Sequence, residues 1–75
     1  MKQKYVYKLK VDGMRCSMCE SHVNDLVRRH LDIKRVKSSH LKNETKIISL
    51  HPLDIEEIRK AFDGSGYIVD KIEMI

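Results

Sequence analysis

The chain holds only two cysteines in 75 residues, too few for a closed structural zinc site, which takes four ligands. No apolar run approaches the length of a membrane span, so direct membrane insertion is not expected. The start, Met1-Lys2-Gln3-Lys4, leads into an alternating stretch and not into the apolar segment of a signal peptide, so a cytoplasmic location is expected. One proline and three glycines leave no linker, repeat or low-complexity segment, and residues 1–75 read as a single domain. Fifteen basic residues give a formal net charge of +4, but they are spread along the chain with no dense run. That distribution argues against nucleic acid as a partner and fits a solvated surface or docking to an acidic partner.

The two cysteines sit together in Gly13-Met14-Arg15-Cys16-Ser17-Met18-Cys19, between a strand-like and a helix-like stretch. A loop cysteine and a first-turn cysteine three residues on can direct both sulfurs to one spot. The N–H groups and dipole of a helix start favour thiolate there. Such a pair can grip a soft metal ion or cycle between dithiol and disulfide. A two-thiolate, low-coordinate site suits Cu(I), and thiolates also take Zn(II). In a reducing compartment the pair stays reduced unless catalysis cycles it. Met14 reads either as a thioether ligand or as a hydrophobic anchor for the loop. Met18 reads as exposed and near an incoming ion, and His22, three residues after Cys19, as a third ligand or a solvent-facing residue.

Tyr5 to Val11 alternates, with Tyr5, Tyr7, Leu9 and Val11 on one face and Lys8 and Lys10 on the other, which predicts a half-buried strand. Ser17 with Glu20 reads as a capping box opening a helix over about 18–31, whose apolar stripe is Val23, Leu26, Val27, His30 and Leu31. His30 reads as a packing residue or a partner for the helix dipole. Residues 35–41 and 45–50 predict a hairpin around Lys42-Asn43-Glu44. Asp54, with Glu57, caps a second helix whose inner stripe is Ile55, Ile58, Ala61 and Phe62. Gly64-Ser65-Gly66 stops it, and 67–75 reads as a closing strand. The order β-α-β-β-α-β predicts an α+β, ferredoxin-like sandwich: a four-stranded antiparallel sheet with both helices on one face. In that architecture the turn before the last strand lies near the cysteine loop, so Tyr67 either shields the thiolates or serves as a core-edge aromatic.

With GMRCSMC, the helix carrying Val23 and Leu26, and Gly66-Tyr67-Ile68-Val69 near the end, the chain resembles the heavy-metal-associated domains along nearly its whole length. The resemblance implies that Cys16 and Cys19 are the metal ligands and that Met14 is an anchor. It implies Cu(I) as cargo, with Zn(II) or another soft metal as the alternative. It further implies a copper-chaperone-like role, passing metal by thiolate exchange to a metal-transporting P-type ATPase domain or other acceptor. The expected protein is a monomer, or a dimer bridged by metal, and not an enzyme. Two stretches depart from the family's usual pattern: Ser38-Ser39-His40, where apolar residues are usual, and Glu20-Ser21-His22 beside the second cysteine.

Two other readings share parts of this pattern. A glutaredoxin-like dithiol–disulfide oxidoreductase also places CxxC after a first strand, but here no proline or aromatic flanks the motif and the chain's end reads as strand. A ferredoxin-like RNA-binding module needs an aromatic platform for base stacking, and Thr45 to Leu50 has none.

Overall fold

Eight residues, Tyr5–Asp12, form the strand β1 on which the molecule is built. The structure, a computed structural model, describes residues 4–75; Met1-Lys2-Gln3, whose reading bears on a signal peptide, lie outside the described residues. After β1 come helix α1 (Ser17–His30), strands β2 (Arg35–Ser39) and β3 (Glu44–Ser49), helix α2 (Ile55–Ala61) and strand β4 (Ile68–Met74). The four strands make one antiparallel sheet in the order β2-β3-β1-β4. This is the predicted ferredoxin-like order of elements.

β1 lies inside the sheet because its alternation suits burial on one face while both of its edges are paired. Tyr7, Leu9 and Val11 are buried, and they meet Val23 and Val27 of α1 and Ile58 and Ala61 of α2 in one core. Val36 and Ile47 supply the same face from β2 and β3. Both helices therefore cover one side of the sheet. Leu9, Ile47 and Ile58 are wholly buried, and each contributes about 1.5–3 kcal/mol by leaving water. Tyr7 reaches from β1 to the segment before α2: its hydroxyl accepts from the Leu53 N–H (2.9 Å) and donates to the Leu53 carbonyl (3.3 Å).

Several local expectations are corrected. Cys16, not Ser17, is the N-cap of α1, with extended φ −158 and ψ 177 and no side-chain cap bond. Its carbonyl accepts from the Cys19 and Glu20 N–H groups, and Glu20 is turned away from the capping box. His30 is exposed at the end of α1, and Leu31 is the buried C-cap. β2 ends at Ser39, two residues short of the expected end, and Leu41 stands out from the turn 85% exposed. Asp54 does cap α2, accepting from the Glu56 N–H at 3.0 Å, but Ile55 is half exposed and Leu53 fills the core in its place.

Candidate metal centre

At the C-terminal end of β1, Gly13 takes φ 109, a left-handed conformation that favours glycine. A Cβ there would lie 3.3 Å from both the Gly66 carbonyl and the Tyr67 ring. Glycine therefore lets the cysteine loop lie against the turn before β4. The turn between β2 and β3 reaches the same end, where Asn43 accepts from the Val11 N–H at 2.8 Å. Gly13→Ala is expected to cost about 1–3 kcal/mol through backbone strain and to push Tyr67 away from the loop. Thermal unfolding would read the first effect and Tyr67 fluorescence the second.

Met14 follows, 5% exposed and part of the core. It fastens the loop from beneath, while Arg15 and Cys16 face solvent. Cys19, in the first turn of α1, is half-buried. Both cysteines are free thiols, and their sulfurs lie 3.9 Å apart. The Cys19 thiol is pulled down from 9.0 to about 7, mainly by a hydrogen bond from the Arg15 backbone and against the opposing effect of burial. Hydrogen bonds from the Cys16 backbone, the Tyr67 hydroxyl and the Cys16 thiol lower it further. Tyr67 is correspondingly raised, first by burial and then by that bond to Cys19. Tyr67 is also partly buried against the core, so it is a core-edge aromatic that lies close enough to the Cys19 sulfur for the two groups to shift one another.

These shifts predict a pH dependence for the metal-free domain. Cys19 holds fewer protons in the folded than in the unfolded state between about pH 7 and 9. Stability therefore rises with pH across that window and is lost as pH falls through 7. Alkylation of Cys19 should reach half its limiting rate near pH 7. Tyr67→Phe removes one donor and should move that midpoint upward by a few tenths of a unit or more; an unchanged midpoint would deny Tyr67 its contact with the sulfur.

The other sequence candidates are not brought to the thiols. Met18 is 68% exposed on the rim of the loop. His22 is exposed and lines a cleft with Asp25, Arg29 and Tyr67. Among the described residues, no His, Asp or Glu joins the two sulfurs in a group of three. Glu20 points to the β2–β3 turn, where one carboxylate oxygen accepts from the His40 backbone N–H at 2.8 Å and meets His40 Nδ1 at 2.5 Å. That contact holds the Glu20 carboxyl below its usual range.

One turn further along α1, Asn24 Oδ1 accepts from the Ser38 hydroxyl at 2.7 Å, and Ser38 shares a 3.0 Å hydrogen bond with the buried Thr45. The two unusual stretches thus answer one another across the α1–β2 interface. Asn24 and Thr45 escaped the sequence reading. The signal was present: polar residues in β2 at positions that should face a helix require polar partners on that helix.

Among curated proteins, the chain is 36% identical over 67 residues to the human copper-transporting ATPase 2, a match covering 87% of this chain and 4% of that protein. It is 28% identical over 69 residues to a mercuric reductase from Lysinibacillus sphaericus, covering 92% of this chain and 12% of that protein. The chain thus spans a small part of the length of these relatives. Among solved structures it superposes on oxidized MerP from Ralstonia metallidurans CH34 with a TM-score of 0.75 at 19% identity, covering 91% of this chain and 96% of that one. The N-terminal domain of ZntA in the apo form gives a TM-score of 0.72 at 22% identity, covering 97% and 94%. No family model matches the chain.

Proposed function

Since the chain is a heavy-metal-associated domain, we propose that it binds Cu(I) through Cys16 and Cys19 and passes it on by thiolate exchange. The observation that carries this reading is the sulfur pair itself: two thiols 3.9 Å apart, Cys16 exposed at the end of the loop and Cys19 half-buried in the first turn of α1, with Glu20 engaged by His40 and, among the described residues, no His, Asp or Glu grouped with the sulfurs. Two soft ligands without a nearby imidazole or carboxylate favour a soft, low-coordinate ion over Zn(II). Two ligands leave a bound ion open to a third thiolate, as an exchange intermediate requires.

In this mechanism an acceptor thiolate joins the ion and a resident sulfur leaves, then a second acceptor thiolate joins and the other resident sulfur leaves, so the ion moves on without ever being free. The lowered Cys19 thiol is the ready ligand near neutral pH, and exposed Cys16 is the one an acceptor can approach. The proposed acceptor is a metal-binding domain of a P-type ATPase. That choice is supported by the likeness to the copper-transporting ATPase; the likeness to a mercuric reductase makes mercury the cargo to test beside copper. Among the described residues no helix is long and apolar enough to cross a membrane. The protein is proposed to work as a monomer in the cytoplasm, as a carrier and not as a catalyst.

The test is a competition titration of the reduced protein with a chromophoric Cu(I) chelator, run in parallel with Zn(II) and Hg(II). One-to-one Cu(I) binding far tighter than Zn(II) binding supports the proposal. Zn(II) held more tightly than Cu(I) refutes it.

A further inference from the structure

The face of the sheet opposite the helices is open, and its charge is unevenly placed. Around β4 the charges are mixed: Lys8, Lys10 and Lys71 share one cleft with Glu44, Asp70 and Glu73, and Lys8–Glu44 (3.2 Å) and Lys71–Glu73 (2.9 Å) are ion pairs. On the β2–β3 side the pattern changes. Lys37 stands directly opposite Lys46, and Lys46 directly opposite Lys8, so three lysines lie side by side across three strands. Arg35 stands opposite Ile48 and lines a hollow with Lys4 and Lys34. Among the described residues Arg35, Lys37 and Lys46 make no ion pair. Lys37 does feel the Glu20 carboxylate, which His40 already holds.

Like charges directly opposite one another destabilise a sheet. Lysines on an edge strand guard against aggregation, which accounts for Arg35 and Lys37 on β2. It does not account for Lys46, which lies on the interior strand β3. The helices offer no counterpart: α1 carries Glu20 and Asp25 against Arg28 and Arg29, and α2 carries Glu56 and Glu57 against Arg59 and Lys60. Among the described residues of the sheet, three cations without an ion pair on the open face, Arg35, Lys37 and Lys46, are gathered on the β2–β3 side.

We propose that this cationic half of the open sheet face docks on an anionic lipid bilayer. The patch is dominated by lysine and has no aromatic on its face: Tyr5 packs, partly buried, against the core on the helix side, Tyr7 and Phe62 are in the core, and Tyr67 is at the thiols. Protein interfaces are depleted in lysine and enriched in aromatics. Single-stranded nucleic acid needs stacking platforms that are missing here. A flat anionic surface needs neither, because each lysine acts on it as a point charge. The patch also lies toward the start of β1, whereas the cysteines lie beyond its end. A docked domain therefore keeps Cys16 and Cys19 clear of the lipid. This inference stands independently of the metal proposed above.

The test is co-sedimentation of the reduced full chain with vesicles of phosphatidylcholine, alone and with increasing phosphatidylglycerol. Binding should appear only with the anionic lipid and weaken as salt is raised. Arg35→Gln, Lys37→Gln and Lys46→Gln combined should lower it by about 100-fold, at roughly fivefold per cation. The same loss of charge placed on the helices, Arg28→Gln, Arg29→Gln and Lys60→Gln, should lower it far less. Both variants should stay folded, the sheet variant with a thermal midpoint at or above that of the wild type because facing lysines are removed, and both should keep the metal stoichiometry, so failure here is distinct from failure of the metal reading. Equal losses in the two variants, no binding to anionic vesicles at low salt, or tighter binding to polyglutamate or an oligonucleotide than to vesicles would overturn the proposal.

Discussion

Replacing either Cys16 or Cys19 with serine should weaken Cu(I) binding by more than about 100-fold. Loss of a group that merely orients a metal ligand costs about 10–100-fold, and loss of one of two ligands must exceed that. Serine makes the case sharply because it matches cysteine in shape. Its hydroxyl stays protonated near neutral pH and is hard where the thiolate is soft. Among the described residues no other ligand is grouped with the sulfurs to take its place, and Glu20 is bound to His40. In the Cys16→Ser variant the fold should not suffer: Cys16 is exposed, and it caps α1 through its backbone with no side-chain bond. His22→Ala, by contrast, should leave affinity within a few-fold of wild type. Chelator competition on the three variants checks all of this. A Cys16→Ser protein that bound Cu(I) as tightly as wild type would remove Cys16 from the ligand set.

The strand order and the position of the cysteine loop were legible because they rest on strong local signals. Alternation over Tyr5 to Val11 placed a strand with one buried face, and Leu9 and Val11 are indeed wholly buried. What was not legible is how the elements meet. Ser17 and Glu20 form a good capping pair on paper, but Cys16 adopts the cap conformation, and a contact twenty residues away draws Glu20 to His40. Ser38 and His40 looked like defects in an apolar strand. They make sense only with Asn24 and Glu20 opposite them, and that pairing is tertiary. Ile55 shows the same limit in α2: its spacing fits the inner stripe, yet Leu53, tied by its backbone to Tyr7, fills the core there. Tyr67 fell between two readings because only the close approach at Gly13 decides whether its hydroxyl reaches a sulfur.

Met14 divides an anchor from a ligand, and two substitutions separate the roles. Its side chain is 5% exposed and packed in the core, so Met14→Ala should cost about 2–5 kcal/mol through lost burial and the cavity left behind. At about 4–8 °C per kcal/mol for a domain of this size, the thermal midpoint should fall by about 10 °C or more. That is a large share of the stability a small domain has. Met14→Leu keeps the volume and removes only the sulfur, and such swaps usually cost under about 1.5 kcal/mol. If Met14 anchors the loop, the leucine variant binds Cu(I) as wild type does, while the alanine variant releases the loop that positions Cys16 and binds more weakly. If the thioether were a ligand, the leucine variant would lose affinity despite its intact fold. Calorimetry and chelator titration on the same two proteins decide the matter, and the buried position of Met14 predicts that stability and affinity fall together only for alanine.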